Sequence, residues 1–192
     1  MRILPFLLLA VLLSFSNGLT AQQKFERETR LRENNVPAVA LSFIQATDPQ
    51  ERIRWYYEEN LEGNSVEAKF KRESVRYSVE FDTLGNIQDV EIEISPDELE
   101  SSLKDEVDDN LTEQFTKYKW QKLQRQYTGS VAQLQSLLRG EQGLIGLTIR
   151  YELELKGTKD HHTALYEITF DEAGLITQQR QIIFKNANHL EY

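Results

Sequence analysis

One eleven-residue pattern occurs twice in this chain, and it limits the fold more than any other feature. Tyr77-Ser-Val-Glu-Phe81-Asp82-Thr-Leu-Gly85-Asn-Ile87 and Tyr166-Glu-Ile-Thr-Phe170-Asp171-Glu-Ala-Gly174-Leu-Ile176 share Tyr, Phe, Asp, Gly and Ile at identical spacing. Upstream, Arg52-Ile-Arg-Trp55 matches Lys117-Tyr-Lys-Trp120, and Pro37 and Pro96 each introduce a helical pattern. The chain therefore reads as a duplication, and internal repeats take priority over local detail. The offset between copies is 59 at the prolines, 65 at the tryptophans and 89 at the glycines. The second copy must then hold insertions, mostly between Trp120 and Tyr166.

Each part of the pattern has a physical reading. Tyr77, Val79 and Phe81 alternate with polar residues, as do Tyr166, Ile168 and Phe170, which is the period of a half-buried strand. Asp82 and Asp171 can accept hydrogen bonds from amides just ahead of them, and Gly85 and Gly174 supply a positive φ, so each segment reads as a hairpin turn. A calcium loop would need further oxygen ligands at alternating positions and a closing Glu, which neither segment has. Beyond Ile87, the apolar positions Val90, Ile92 and Ile94 slip by one residue, which predicts a β-bulge near Gln88.

The remaining elements follow the same logic. Val36, Val39, Ala40, Phe43 and Ile44 have helical spacing behind Pro37, and Leu99, Leu103, Val107 and Leu111 make a second helical stripe behind Ser95-Pro96-Asp97-Glu98, a capping box. Trp55 and Trp120 continue alternating apolar runs and read as core aromatics. Val131, Leu134, Leu137 and Leu138 predict a short amphipathic helix between Ser130 and Gly140. That helix is either an added patch of core or a partner-binding element. Alternation along every strand suits antiparallel sheets packed by helices on one face.

The first 21 residues carry one charge, Arg2, then an apolar run over residues 3–15 and a small residue at Ala21. They read as a secretory signal peptide, since the run is too short to span a bilayer. Without them the formal charge is −10, against −9 for the whole chain. Such acidity disfavours nucleic acid and anionic membrane surfaces. The chain has no cysteine, which excludes disulfides, thiolate metal sites and a cysteine nucleophile.

Chemistry-bearing motifs are sparse. His161 and His162 fall in a loop between strand patterns without further ligands nearby, and His189 is close to the terminus. No nucleophile elbow, phosphate loop or zinc-protease motif occurs. Glu91, Glu93, Glu152 and Glu154 read as solvated strand positions. The chain is thus expected to lack catalytic residues, metal and cofactor.

The Val36-Pro37-Ala38-Val39 helix start, basic-x-basic-Trp55, Val66-Glu-Ala-Lys-Phe70 and Tyr77…Phe81-Asp82-x-x-Gly85 resemble the PepSY-like, β-lactamase-inhibitor-like family of exported bacterial proteins. The second copy is similar but departs more. The resemblance implies an α+β fold of two tandem repeats, each a helix packed on an antiparallel β-sheet, with a sheet face turned to a protein partner. The expected organisation is a signal peptide at 1–21, a charged segment at 22–35, repeats at 36–95 and 96–184 with an insertion at about 128–146, and a tail at 185–192. The expected role is a non-enzymatic periplasmic or secreted protein-binding module, inhibitory toward an envelope peptidase or other enzyme. The alternative is a small-molecule or ion-binding envelope protein. Glu67, Lys69, Arg76, Ser78 and Glu80 lie on the polar strand face and are the candidate contacts for an envelope or extracellular protein.

Overall fold

The computed structural model describes residues 22–61, 63–143 and 145–183. The expected signal peptide, the tail and His189 lie outside the described residues. The strands are β1 (Gln22–Lys24), β2 (Glu26–Leu31), β3 (Arg54–Asn60), β4 (Asn64–Arg72), β5 (Val75–Asp82), β6 (Ile87–Glu93), β7 (Lys117–Thr128), β8 (Thr148–Lys159), β9 (His162–Asp171) and β10 (Ile176–Ile182). Helix α1 (Ala38–Gln45) precedes β3, α2 (Ser101–Gln114) precedes β7, and α3 (Val131–Leu138) joins β7 to β8.

All ten strands belong to one sheet, ordered β1-β10-β9-β8-β7-β6-β5-β4-β3-β2. Every pairing is antiparallel except the parallel β1–β10 pair. The two edge strands, β1 and β2, are consecutive in sequence, with only Phe25 between them. A sheet whose opposite edges are one residue apart must curl round on itself, so this one is a nearly closed barrel. The expectation of two tandem helix-on-sheet repeats is therefore corrected. Helix-then-four-strands does occur twice in chain order, but β6 pairs directly with β7, which fuses both sets into one sheet. The "charged segment" at 22–35 supplies the two strands that bring the edges together.

Apolar side chains face outward, under the helices, in two clusters. Ala40, Phe43 and Ile44 of α1 cover Trp55, Val66, Ala68, Val79 and Phe81. Val107 and Leu111 of α2 cover Leu123, Leu153, Ile168 and Phe170. Helix α3 belongs to the later part of the chain, yet its Leu134 and Leu138 complete the first cluster. Arg72 Nη1 donates to the Leu138 carbonyl at 2.6 Å, fixing that docking. The insertion is thus core, and it ties the two halves together. Its capping box is present: Gln133 Oε1 accepts from the Ser130 amide at 2.8 Å.

The signature turns are built alike. Asp82 Oδ1 accepts from the amides of Leu84 and Asn86, both at 2.9 Å. Asp171 Oδ1 accepts from those of Ala173 and Leu175 at 2.9 and 3.0 Å. Gly85 (φ +92°) and Gly174 (φ +82°) take the left-handed backbone. Gly85 has a second role that its turn alone does not reveal. A Cβ there would meet Pro37 Cβ at 2.8 Å and the Ala40 nitrogen at 2.9 Å, so glycine lets the turn seat against the start of α1.

Two expected helix starts shift slightly. Pro37 is the N-cap of α1 rather than its first turn. The Ser95 capping box caps a 3₁₀ turn, Pro96–Glu98, because Leu99 and Glu100 are extended before α2 begins.

Candidate functional site

Alternation has a consequence once the sheet closes: the polar side of every strand faces inward. The lumen includes a cavity of about 450 Å³ that residues of both edge strands and of the central strands line. Glu58, Glu67, Asp89, Glu91 and Glu167 are each less than a tenth exposed, and Glu80 and Glu152 are half-buried beside them. Small barrels usually fill their interior with packed side chains. Here the interior is carboxylate-rich and the packed core is outside.

Strand register sets neighbour against neighbour. Glu67 lies opposite Glu80, and Glu80 opposite Asp89. The bulge at Gln88 is responsible for the second pair: Phe81 faces Ile87, Gln88 is skipped, and Glu80 faces Asp89. The extra residue turns Asp89 and Glu91 into the lumen and Val90 into the core. Like charges directly opposite are destabilising in a sheet, so three adjacent carboxylates need compensation.

The fold compensates two groups of carboxylates with its own cations. Lys69 Nζ contacts Glu28 at 2.6 Å and Glu67 Oε2 at 2.9 Å; the latter is an ion pair without hydrogen-bond alignment. Burial works to discharge Lys69, but Glu67 and Glu28 outweigh it and raise its pKa. Lys24 ion-pairs with Glu167 and, at 2.5 Å, with Glu26, while Arg180 Nη2 lies 2.8 Å from Glu167. Burial likewise opposes charge on Lys24, and Glu167 and Glu26 win.

A third group, Glu80, Asp89 and Glu91, is treated differently. Its carboxylate oxygens lie within 4.8 Å of one another. Among the described residues no Lys or Arg is within ion-pair distance of these three or of Glu152. Neutral amides hold them instead: Gln124 Nε2 donates to Glu91 at 2.8 Å, and Gln126 Nε2 to Glu152 at 3.0 Å and more weakly to Asp89 at 3.4 Å. Burial, then the Glu152 charge, pushes Asp89 up to about 8. Burial and Asp89 raise Glu80. Burial and Glu80 raise Glu91, and burial and Glu91 raise Glu152. Outside this group, burial, then Glu26, pushes Glu58 up to about 7.

The candidate contact residues fall on this inner face. Glu67 and Ser78 are buried, and Ser78 Oγ donates to Glu67. Lys69 spans Glu28 and Glu67, Glu80 belongs to the third group, and Arg76 is exposed at one mouth, paired with Glu93 at 2.9 Å. A partner would have to enter the lumen to meet more than Arg76 and Lys69. The signature residues line the opposite, packed face. Trp55, Phe81, Tyr166 and Phe170 are buried, while Tyr77 and Trp120 are half-buried. His161 sits in a tight two-residue turn with Asp160, and His162 opens β9, both exposed. The sequence reading took Glu91, Glu152 and Glu154 for solvated positions. Only Glu58, Glu67, Glu80 and Glu91 recurring on one polar face hinted otherwise, and that hint needs the curl to be understood.

No family model matches the chain, and no curated protein matches it. Solved structures do share its fold. They include DUF2874 family proteins from Bacteroides ovatus (11% identity, 76% of this chain and 87% of that chain, TM-score 0.51) and Bacteroides uniformis (14%, 76% and 89%, 0.51). A third, from Bacteroides eggerthii, is assigned provisionally to the periplasm (12%, 76% and 88%, 0.51). Identities this low show the fold alone. The resemblance to the PepSY-like, β-lactamase-inhibitor-like family is corrected by these neighbours, which carry another family's name, and by the single ten-stranded sheet. The motifs that suggested it are a turn-closing Asp and Gly and core aromatics, which hairpins under a helix require in general. Among the described residues no helix is long and apolar enough to cross a membrane.

Proposed function

We propose that this chain is a non-enzymatic envelope protein that binds a positively charged ligand within its lumen. One observation carries the reading: buried carboxylates are set directly opposite one another on the inner face, and among the described residues one group of them has no Lys or Arg within ion-pair distance. Burying like charges side by side is costly unless a counter-charge or a proton offsets it. The acidic signal-free chain and the provisional periplasmic assignment of one structural neighbour support an envelope setting.

A binding role suits the geometry better than catalysis. The oxygens of Glu80, Asp89 and Glu91 lie within 4.8 Å of one another. That is closer than the about 6.5–9.5 Å by which inverting glycosidases separate their carboxyl groups to admit a water. The protein-binding or inhibitory role suggested by the polar sheet face is less well supported, because Glu67 and Ser78 are buried.

Thermal-shift measurements across matched cations and anions test the reading. Divalent ions and small diamines should raise the melting temperature, and sulfate and phosphate at equal ionic strength should not. Replacing Glu58 and Glu152 together by Gln should reduce the cation response. If no cation stabilises the protein more than its matched salt control, the lumen is not a cation site.

A further inference from the structure

The three carboxylate groups of the lumen differ in one respect that identifies a ligand class. In the group of Glu28, Glu58 and Glu67, Lys69 pairs with Glu28 and Glu67. Glu167 has Lys24 and Arg180. Among the described residues, Glu80, Asp89 and Glu91 have no Lys or Arg within ion-pair distance; the amides of Gln124 and Gln126 hold Glu91 and Asp89, and Lys122 and Lys24 act on these two from further away. We propose that Glu80, Asp89 and Glu91 form a binding site for a hard divalent cation, with calcium the ion that fits best. This rests on the reading of the lumen as a cation-binding site.

Two polar atoms outside any ion pair point the same way. Asp89 is nine-tenths buried, and its Oδ1 has no hydrogen-bond partner among the described residues. Ser65 is 4% exposed, lines the same cavity, and its Oγ also lacks a partner. Buried polar atoms are nearly always satisfied, so an unpartnered oxygen within the carboxylate cluster and another on the lumen wall are suited to a ligand.

The donor set decides the kind of ion. The cluster offers carboxylate oxygen alone, without imidazole or thiolate, which selects calcium or magnesium over zinc or copper. Three carboxylates converge here with Glu152 close by, a protein-supplied oxygen set of the kind calcium takes, whereas magnesium usually keeps several waters and is held by one or two carboxylates. The support is also characteristic of an ion site. Gln124 fixes Glu91 and Gln126 fixes Glu152 and Asp89, and outer partners of this kind orient metal ligands. Glu152 is a further carboxylate within reach of the same amide. The bulge at Gln88 is then the device that builds the site, because without it Asp89 and Glu91 would face the core.

Isothermal titration of the full chain with calcium chloride, after chelator treatment, tests this directly. One ion per chain should bind, at an affinity in the range of extracellular modules or tighter, about 0.1–1 mM or below. Asp89→Asn should weaken binding at least tenfold, and Glu80→Gln should do the same. Glu28→Gln, which alters the group already held by Lys69, should leave it unchanged. Urea unfolding of each variant separates lost binding from lost structure. Absence of calcium binding up to about 10 mM, tenfold beyond the weakest such modules, overturns the inference. So does wild-type affinity in folded Asp89→Asn and Glu80→Gln. If calcium fails while a diamine still stabilises the wild type, only the metal assignment falls. If neither binds, the lumen reading falls with it.

Discussion

Glu152 and Leu153 are adjacent in β8, yet they belong to regions with opposite physics. Leu153 is fully buried in the outer layer under α2. Glu152 points into a lumen where burial and Glu91 favour its protonated form. The same contrast runs round the whole sheet. The outer face gains stability from apolar area removed from water, and the inner face spends some of it by holding carboxylates together. A fold that wanted only stability would fill its barrel with Val and Leu. The charged interior is therefore where function should be sought, and the outer face explains why the protein can tolerate it.

The hardest test of this contrast is to damage the outer face. Phe81 is 0% exposed, meets Phe43 edge-on at 5.5 Å and lies 5.9 Å from Trp55. Phe81→Ala should cost about 3–5 kcal/mol, read from the urea midpoint, through lost burial and the cavity left behind. A loss below about 1 kcal/mol would mean that the outer layer is not the source of stability.

The inner face predicts the opposite response, and pH reports it. Glu58 has a folded pKa of about 7 against a usual value of 4.5. Because the folded value is the higher one, the folded state holds the proton more tightly. Its contribution is complete below about pH 4.5 and is lost as pH rises through 7. Asp89, raised to about 8, acts in the same direction. In chelator-containing buffer, Glu58 alone should lower stability by on the order of 3 kcal/mol between pH 5 and pH 8, and Glu58→Gln should remove that share of the slope while Asp89 keeps the rest. Stability that rises over this interval would show that the carboxylates are solvated after all.

The two signature glycines sharpen the comparison at smaller scale. A Cβ at Gly85 would meet Pro37 and the backbone of Ala40, which are rigid. A Cβ at Gly174 would meet Glu106 Cγ at 2.7 Å, part of a flexible side chain. Both positions carry a positive φ, worth about 1–3 kcal/mol for an L-residue. Gly85→Ala should therefore destabilise by about 2–3 kcal/mol, and Gly174→Ala by about 1 kcal/mol. Equal losses would show that backbone strain alone, and not helix approach, governs the site.

These contrasts also explain what the sequence could and could not reveal. Local chemistry was readable: the Asp82 and Asp171 turns, the slip at Gln88 and the apolar run of Trp55 depend on neighbours a few residues away. Closure was not. It depends on residues 22–31, which read only as part of a charged segment, and on β6 meeting β7. Alternation says that Glu58, Glu67, Glu80 and Glu91 leave the core, but not whether they leave for bulk water or for a lumen. The cluster itself arises from pairing between strands, so no spacing along the chain encodes it.

The smallest predicted effect lies at the boundary between the two regions. Arg76 shares the polar strand face with Glu67 and Ser78, but it sits at the mouth, and its side chain is 62% exposed beside Glu93. An exposed ion pair gains little in water and loses side-chain entropy, so Arg76→Ala should change stability by less than about 1 kcal/mol. It should leave cation binding unaltered, because Arg76 faces Glu93 rather than Asp89. A matched change one step inward behaves differently. Lys69→Ala removes the cation between Glu28 and Glu67, leaving a buried carboxylate without its partner, which costs several kcal/mol unless it takes up a proton or an ion. Added cation should therefore rescue Lys69→Ala and do nothing for Arg76→Ala. The distance between those two responses, measured as cation-dependent shifts in melting temperature, locates where the rim ends and the lumen begins.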